Sequence, residues 1–334
     1  MTNNRAGTAG GRPCPATPLP AAPVRPFRRR SPCPTTPLFS RQPFTVPLPG
    51  GRSLQLGERT FVMAIINITP DSFAERQPST DPARAVDLAQ AAEAMGADLI
   101  DFGAESTRPG APPVPADEEQ GRLMPVLRAV AGRLRVPISI DTTKAVVARS
   151  ALDAGAAIVN DISGLRYDAD LGRVVAAAGA GLVIMHMRGT SREMYRDAAY
   201  ADVITEVREE LAHSLRAAEE AGVSREAIIL DPGLGFAKRA EHSYETLARL
   251  PELAVLGRPL LVGSSRKSFL TRGLGEMPPA ARDWGTAATV AAAILAGAHI
   301  IRVHAVSEMV QVARVTDEIR RHARNTGDSG TPSA

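Results

Sequence analysis

The sequence predicts an α/β fold, a closed (β/α)8 barrel of the TIM type, and three observations support that prediction. Short apolar runs rich in β-branched residues recur eight times after residue 60, and helical stretches separate them. Strands that alternate with helices form a parallel sheet, and eight such units within about 260 residues favour a barrel. Aromatic residues make up only 4% of the chain, as expected for a parallel sheet built from Ala, Val, Ile and Leu.

The predicted elements follow one another in chain order. A helix is predicted over residues 82–95, because Asp81 suits the N-cap, Pro82 the first helical position and Gly96 the position after the last turn. A second helix is predicted over residues 200–221, and a glycine again follows it. The candidate strands are residues 61–66, 98–102, 136–140, 156–160, 181–185, 227–230, 259–263 and 299–303.

Two tails flank the predicted barrel, which we assign to residues 51–325. Residues 1–50 are rich in Pro and Arg and lack apolar periodicity, so we predict a disordered extension there and a shorter disordered tail over residues 326–334. The extension lacks the apolar core of a secretory signal, and its prolines disfavour the amphipathic helix of a transit peptide. We expect it to have no folded role, with targeting or nucleic-acid binding as the alternatives.

Charge and cysteine are concentrated in the extension. Residues 1–52 hold eight Arg and no acidic residue, whereas the whole chain carries only +3, so the body is net negative and nucleic acid is not an expected partner. Cys14 and Cys33 also lie in the extension, which excludes a disulfide framework or a cysteine zinc site in the body. No apolar run reaches the roughly 18 residues of a membrane span. These features favour a cytoplasmic protein without a membrane partner.

Polar residues follow nearly every apolar run, at the point where each candidate strand ends. The carboxyl ends of all strands open on one face of a barrel, so these side chains should converge on one mouth. A helix N-cap is the alternative for a single residue such as Asp141, but the repetition favours a binding site. The residues and motifs are Asn67 in NITPDSF (67–73), ESTRPG (105–110), Asp141, Asn160 with Asp161, His186, Asp231, GSSRKS (263–268), and Arg302 with His304.

The mixture of donors and acceptors indicates what this mouth binds. Asp141, Asn160, Asp231 and Lys267 combine carboxylates, an amide and an ammonium group. Such a set matches a flat heterocycle that presents an N–H edge beside a carbonyl, as pterin and guanine rings do. An internal Asp–Lys salt bridge is the structural alternative.

A second set of residues favours an anion. Arg302 and His304 lie two apart on one strand and therefore face the same side. With Ser264, Ser265 and nearby helix N-termini they suit a phosphate, although His304 could also be an ordinary buried histidine. The dinucleotide motif GxGxxG and the P-loop motif are both missing from the sequence, so those two nucleotide sites are not expected.

Any metal is expected to be shared with the substrate. The sequence has no HExxH motif, no paired-histidine spacing and no dense carboxylate cluster, which argues against a tightly held zinc. A Mg²⁺ bound to substrate phosphates needs only one or two protein oxygens. We therefore expect Mg²⁺ as the cofactor, with the amide oxygen of Asn67 as its protein ligand.

At these residues the chain closely resembles the dihydropteroate synthase family of folate biosynthesis. The resemblance runs from about Phe61 to Val306, and eight motifs in the same order make it specific. They are NITPDSF, ESTRPG, SIDTTK (139–144), VNDI (159–162), MHMRG, DPGLGF, GSSRKSF and IIRVH.

The resemblance implies a transferase that condenses 6-hydroxymethyl-7,8-dihydropterin diphosphate with 4-aminobenzoate to give dihydropteroate and diphosphate. It implies a homodimer and loops over residues 71–73 and 106–110 that close the site. The catalytic residues would be Asp141, Asp231, Lys267, Arg302 and His304. The pterin would be held by Asp141, Asn160, Met185, Asp231 and Lys267. The diphosphate would contact Asn67, Thr107, Arg302, Val303 and His304, and the aminobenzoate would contact Thr107, Pro109, Phe236 and Ser268.

The chemistry is expected to begin with loss of diphosphate. An aromatic amine is neutral at pH 7 and needs little help from a base, and no Ser–His or Cys–His pair lies at the rim. Breaking the bond between the pterin methylene and the diphosphate is the harder step, because negative charge develops on the leaving oxygens and positive charge on the methylene. We therefore expect a dissociative substitution.

Three departures from the family pattern affect how far the resemblance extends. Residues 74–79 read AERQPS where the family usually has a Ser-Asp-Gly-Gly run, Ala305 stands where the family usually has Asp, and the proline-rich extension is additional. The altered run and Ala305 keep open a non-catalytic pterin-binding paralogue. A methyltetrahydrofolate-dependent methyltransferase is a second rival, but it would not need Thr107, Arg302 and His304.

Overall fold

A short antiparallel hairpin precedes an eight-stranded parallel sheet in the part of the chain that the structure describes. The computed structural model describes residues 41–68, 82–106, 110–190, 193–196 and 198–325. The hairpin strands are β1 (Phe44–Pro47) and β2 (Ser53–Leu56). The barrel strands are β3 (Phe61–Asn67), β4 (Leu99–Gly103), β5 (Ile138–Asp141), β6 (Ile158–Asp161), β7 (Gly181–Met185), β8 (Ile228–Asp231), β9 (Leu261–Val262) and β10 (Ile300–Val303).

Helices lie between the barrel strands and cover the outside of the sheet. Short 3₁₀ helices occupy Pro49–Gly51, Arg225–Ala227, Leu250–Leu256, Ser268–Leu270 and Pro279–Arg282. The α-helices are α1 (Pro82–Ala94), α2 (Ala116–Val130), α3 (Ala145–Asp153), α4 (Leu171–Ala178), α5 (Val203–Glu220), α6 (Ala240–Ala248), α7 (Thr271–Leu274), α8 (Asp283–Leu295) and α9 (Val306–Asn325).

The parallel sheet closes on itself, as the sequence predicts. Its strand order is β8-β7-β6-β5-β4-β3-β10-β9. Leu230 of β8 pairs in parallel with Leu260 just before β9, and the Leu230 amide donates to the Pro259 carbonyl at 2.9 Å. The predicted (β/α)8 barrel is therefore confirmed, and all eight predicted strands are present.

Helix boundaries follow local capping. Helix α1 ends close to the predicted position, and Gly96 after it has a φ of +100°; Asp81, its predicted N-cap, lies outside the described residues. Helix α5 begins at Val203, later than the predicted residue 200, because the Asp202 side chain accepts the Thr205 amide at 3.0 Å and caps the helix there.

The folded body begins earlier than the predicted boundary at residue 51. Arg41 is buried and donates to Thr60 at 3.0 Å and to Asp317 at 2.9 Å. The hairpin that follows buries four apolar side chains against the inner residues at the amino ends of the barrel strands, which we call the floor. The boundary was placed too late because the hairpin residues are short apolar stretches between Pro and Gly. The buried hairpin residues are Val46, Leu48, Leu54 and Leu56.

The core has an inner and an outer part. Inner residues such as Met63, Leu99 and Ile300 pack with the hairpin at the floor. Two larger apolar clusters lie between the outer face of the sheet and the helices. Apolar side chains thus fill the floor, and the opposite end of the barrel is left for polar side chains. No helix among the described residues is long and apolar enough to cross a membrane.

Candidate functional site

Three of four neighbouring strands bring a polar side chain to one level at the carboxyl end of the barrel, which we call the mouth. Asn67 pairs in register with Gly103, Gly103 with Asp141, and Asp141 with Asn160. Because register neighbours in a parallel sheet lie about 4.8 Å apart, the three polar side chains lie close together, with a glycine between Asn67 and Asp141. The convergence expected from the sequence is present for these residues.

Arg302 links two carboxylates across the mouth. Its Nε donates to Asp101 at 2.6 Å and its Nη2 donates to Asp141 at 2.7 Å. The Asn160 side-chain amide donates to the same Asp101 oxygen at 3.2 Å. Helix α3 begins only at Ala145, so Asp141 is an ion-pair partner and not an N-cap.

Burial determines the ionisation of this network. Removal from water raises the pKa of Asp141 to about 7, and the positive charge of Arg302 opposes that rise while Asp101 adds to it. The carboxyl group therefore changes its charge near neutral pH.

Asp231 and Lys267 lie on the other side of the mouth without a direct ion pair. Asp231 is buried, and its Oδ1 accepts the Gly233 amide at 2.7 Å. Lys267 Nζ donates to the Leu234 carbonyl at 2.6 Å. Asp231 Oδ2 and Lys267 Nζ each lie 3.9 Å from the point where a Cβ on Gly263 would stand. The structure therefore favours two groups facing a common space over the internal Asp–Lys salt bridge.

Burial also shifts the titration of this pair. It lowers the pKa of Lys267 to about 8, and the charge of Asp231 opposes that fall. It raises the pKa of Asp231, and Lys267 opposes that rise. Each group therefore stabilises the charged form of the other.

One wall of the mouth is apolar. Met185 and Phe236 are buried in a small cluster with Ile162, Met187, Met194 and Ala237. Lys267 Nζ lies 4.4 Å from the centre of the Phe236 ring, in a cation–π contact. Ser268 follows Lys267 and is exposed at the start of a 3₁₀ helix. A flat ring would thus meet sulfur and aromatic carbon on this side.

The candidate anion subsite is partly assembled. The Ser265 hydroxyl contacts His304 Nδ1 at 2.9 Å and accepts the His304 amide at 3.1 Å, so it orients the imidazole. Ser264 accepts from Thr289 of α8 at 2.8 Å. The Val303 side chain is fully buried in the cluster under the outer helices, so only its backbone faces the mouth.

Several predicted site residues lie outside the described residues. They are Thr107, Pro109, residues 71–73, the altered run at 74–79 and the central part of the predicted 106–110 loop.

The oxygen of Asn67 is suitably placed for a cation. Its Oδ1 and Asp141 Oδ2 each lie 3.8 Å from the point where a Cβ on Gly103 would stand, so the missing side chain of this glycine leaves room between them. Among the described residues, no group of three or more His, Cys, Asp or Glu side chains could hold a metal ion by itself. An amide oxygen beside phosphate oxygens suits Mg²⁺.

Sequence reasoning missed two features that support the mouth. Asp101 is fully buried in β4 and is the shared acceptor of Arg302 and Asn160. A charged residue inside an apolar run was the available signal. Lys144 forms ion pairs with Glu105 and with the buried Glu119, and so ties the end of β4 to α2 and α3.

Comparisons with known proteins point to one enzyme family. A family model described as pterin binding enzyme matches residues 63–304. A dihydropteroate synthase of Synechocystis is 46% identical over 279 residues, covering 83% of this chain and 96% of the relative.

Solved structures show the same likeness. Burkholderia cenocepacia dihydropteroate synthase complexed with 7,8-dihydropteroate has a TM-score of 0.76 and 40% identity, covering 85% of this chain and 99% of that chain. Xanthomonas albilineans dihydropteroate synthase with 4-aminobenzoic acid has a TM-score of 0.75 and 36% identity, covering 83% of this chain and 99% of that chain.

Proposed function

The chain belongs to the dihydropteroate synthase family of pterin-binding enzymes, and from this premise we propose the roles of its individual residues. It is a transferase of folate biosynthesis that condenses 6-hydroxymethyl-7,8-dihydropterin diphosphate with 4-aminobenzoate, releasing dihydropteroate and diphosphate. One observation supports the residue roles most strongly. Asp231 Oδ2, Lys267 Nζ and Arg302 Cβ all lie within 4 Å of the point where a Cβ on Gly263 would stand, and Arg302 bonds to Asp141, the register neighbour of Asn160.

We propose that this space holds the pterin ring. Asp231 Oδ1 is engaged by Gly233, so Oδ2 is the oxygen that can accept the ring N–H groups. Lys267 can donate to the ring carbonyl, and Met185 lies beside the ring. Asp141 and Asn160 complete the polar edge on the other side.

We propose that the diphosphate lies towards Arg302 and His304. Two nitrogens of the Arg302 guanidinium bond to Asp101 and Asp141, and its Nη1 has no hydrogen-bond partner in the described part of the chain. The proposed anion contacts are that nitrogen, the His304 imidazole held by Ser265, the Val303 backbone and Thr107.

Mg²⁺ is the proposed cofactor at this end of the site. Asn67 would hold it through Oδ1, together with diphosphate oxygens, because hard oxygen donors suit this ion. When bound, it neutralises negative charge on the diphosphate.

The aminobenzoate would bind further out on the mouth. Phe236 offers an aromatic edge, and Ser268, at the start of its 3₁₀ helix, offers a hydroxyl group for the carboxylate. Thr107 and Pro109 would cover it from the opposite loop. The aminobenzoic acid complex of the Xanthomonas albilineans relative supports the ligand class.

We propose a dissociative reaction. Diphosphate leaves first, its charge is met by Arg302 and His304, and the positive charge on the pterin methylene is stabilised by the carboxylates of Asp141 and Asp231. The neutral amine then attacks, and the proton that it loses goes to solvent or released diphosphate. A quench experiment without aminobenzoate tests this order of steps, because a dissociative reaction should release diphosphate slowly. The reaction is concerted if no diphosphate is released and if the rate of the chemical step depends steeply on the nucleophilicity of the amine.

A product assay tests the proposed function directly. The protein is incubated with the pterin diphosphate, Mg²⁺ and 4-aminobenzoate, and dihydropteroate should form. Pterin binding without any product would identify the non-catalytic paralogue. Methyl transfer from methyltetrahydrofolate to a corrinoid protein would identify the methyltransferase.

We also propose that the enzyme is a cytoplasmic homodimer that does not bind nucleic acid. Three apolar side chains on the outer faces of the adjacent helices α8 and α9 support the dimer. They are Trp284, Val315 and Ile319, with 87%, 62% and 53% of their surface exposed. The chain has no cysteine after Cys33, in keeping with a reducing compartment.

A further inference from the structure

A buried lysine outside the proposed substrate contacts holds the segment between β8 and α6. Lys238 has only 1% of its surface exposed. Its Nζ contacts His186 Nδ1 at 2.7 Å and donates to the carbonyls of Gly233 at 3.1 Å and Phe236 at 3.2 Å. Burial lowers the pKa of Lys238 well below its usual range, and the charge of Asp231 opposes that fall. In its charged form the ammonium group has three N–H donors, and this site supplies three acceptors.

Burial and its neighbours determine the charge and the tautomer of the His186 ring. Burial and the nearby Lys238 charge lower the pKa of His186 to about 4, so the ring is neutral at pH 7. His186 Nε2 lies 3.1 Å from Glu210, which accepts a hydrogen bond from Arg188. The ring proton therefore belongs on Nε2, facing the carboxylate, and the Nδ1 lone pair accepts from Lys238.

The segment that Lys238 holds is strained and has little regular structure to support it. In the β8–α6 loop (residues 232–239), Gly233, Gly235 and the non-glycine Ala237 all have positive φ, with Ala237 at 48°. The carbonyls of residues 233 to 237 all accept from side chains, and the donors are Lys238, Lys267, Tyr195 and Tyr200. Side-chain hydrogen bonds therefore supply most of the support of this loop.

The same loop carries groups that shape the proposed pterin and aminobenzoate sites. The Gly233 amide donates to Asp231, and Phe236 forms part of the apolar wall. We infer that Lys238 is a positioning residue for substrate binding, because it sets the path of the β8–α6 loop through the Gly233 and Phe236 carbonyls. Lys238 itself is not one of the proposed substrate contacts. This inference rests on the proposed function for the identity of the ligands.

Lys238→Met removes all three donors at similar volume. The matched control is Arg258→Met, because Arg258 is also a buried cation that donates to backbone carbonyls. It bonds to the carbonyls of Ile228 at 3.1 Å and Glu226 at 2.7 Å, at the amino end of β8, whereas Lys238 lies in the loop beyond the carboxyl end of that strand. Both variants should melt at a lower temperature. Only Lys238→Met should weaken binding of 6-hydroxymethylpterin in calorimetry, by about tenfold or more, and raise KM for 4-aminobenzoate.

The outcomes separate this inference from the proposed function. Both variants could bind the pterin with an affinity within about twofold of wild type. That result overturns the positioning role of Lys238, even if the wild-type protein makes dihydropteroate. Weakened pterin binding in Lys238→Met supports it even if wild type makes none. A wild-type protein that does not bind the pterin overturns both. If Lys238→Met does not fold, Tyr200→Phe provides a second test, because it removes the hydroxyl that donates to the Ala237 carbonyl of the same loop. Tyr200→Phe should weaken pterin binding severalfold. Unchanged pterin binding in that variant also overturns the inference.

Discussion

Asp231 is the buried residue that we propose for recognition of the pterin. One carboxylate oxygen already accepts the Gly233 amide, so the other is the acceptor that faces the mouth. Asp231→Asn can keep the Gly233 contact through Oδ1, and this orientation turns an N–H₂ donor towards the ring N–H groups. Leaving such donors unpaired costs about 1–3 kcal/mol, so pterin affinity should fall about tenfold or more.

Calorimetry with 6-hydroxymethylpterin measures this effect. Asp170→Asn, at an exposed position beside α4, is the matched control and should bind as wild type does. Wild-type affinity in Asp231→Asn would remove this residue from the site.

The titrating groups at the mouth predict a narrow pH optimum. The pKa of Asp141 is raised to about 7, so its carboxylate is ionised only above that pH. The pKa of Lys267 is lowered to about 8, so its charge is lost above that pH. The ratio kcat/KM for the pterin diphosphate should therefore rise through pH 7 and fall above pH 8.

Lys267→Arg distinguishes the two limbs of this profile. Arginine stays protonated, so the variant should lose the alkaline fall and keep the acid rise, whatever its absolute rate. A profile that is flat from pH 6 to 9 in wild type would show that neither group controls binding.

Residues at strand ends could be predicted from the sequence, whereas supporting residues could not. Asp141 and Asn160 end apolar runs, Arg302 lies one residue before the end of another with His304 just after it, and barrel topology alone brings such positions together. Asp101 was missed because it lies inside an apolar run. Lys238 was missed because a lysine after a glycine-rich turn normally faces solvent, and only the packing of β7, β8 and α6 buries it.

At the scale of elements, the hairpin is the main difference from the sequence prediction. Its alternating apolar residues are short and interrupted by Pro49, Gly50 and Gly51, which resembles a linker. Burial against the barrel floor provides the stabilising contacts, and this long-range packing has no local signal. The eight barrel strands were predictable because their apolar runs are continuous and buried on both faces.

Truncation separates the extension from the hairpin. Deleting residues 1–35, which are rich in Pro and Arg and lack apolar periodicity, should leave the melting temperature and activity nearly unchanged. Deleting residues 1–45 also removes the buried Arg41–Asp317 ion pair and the Phe44 contact with His299. That second deletion should destabilise the protein by about 3 kcal/mol or more, because a buried carboxylate loses a charged partner. Equal denaturation midpoints for the two deletions would contradict the assigned role of the hairpin.

The β8–α6 loop makes a distinct prediction about glycine. Gly233 has a φ of +66°, and a Cβ there would lie 2.0 Å from the His186 carbonyl oxygen. Gly179 has a similar φ of +59° but no atom within 4 Å of that position. Gly179→Ala should cost only the roughly 1–2 kcal/mol of a left-handed conformation. Gly233→Ala should cost more and abolish pterin binding, as measured by urea denaturation and calorimetry; equal costs would contradict the close packing.

At the scale of the whole molecule, the exposed apolar side chains of α8 and α9 lead us to expect association. Light scattering after size exclusion should give a dimer mass for wild type. Trp284→Ser combined with Val315→Ser should shift the mass towards the monomer, because both side chains are exposed in the single chain. Val255→Ser, at an exposed apolar position outside these helices, is the control and should remain dimeric. A monomeric wild type would contradict the proposed dimer.

The floor of the barrel also determines where the chain can be attached to something else. Arg41 bonds to Asp317 in the second half of α9, and Arg320, one turn further on, donates to the Glu58 carbonyl at 2.6 Å. Both ends of the folded body therefore leave the molecule on the side opposite the mouth. A fused enzyme, an affinity tag or a solid support joined at either end would leave the substrate opening facing solution. The same proximity makes the chain suitable for circular permutation, in which a short linker joins the two ends and a new terminus is opened in a surface loop.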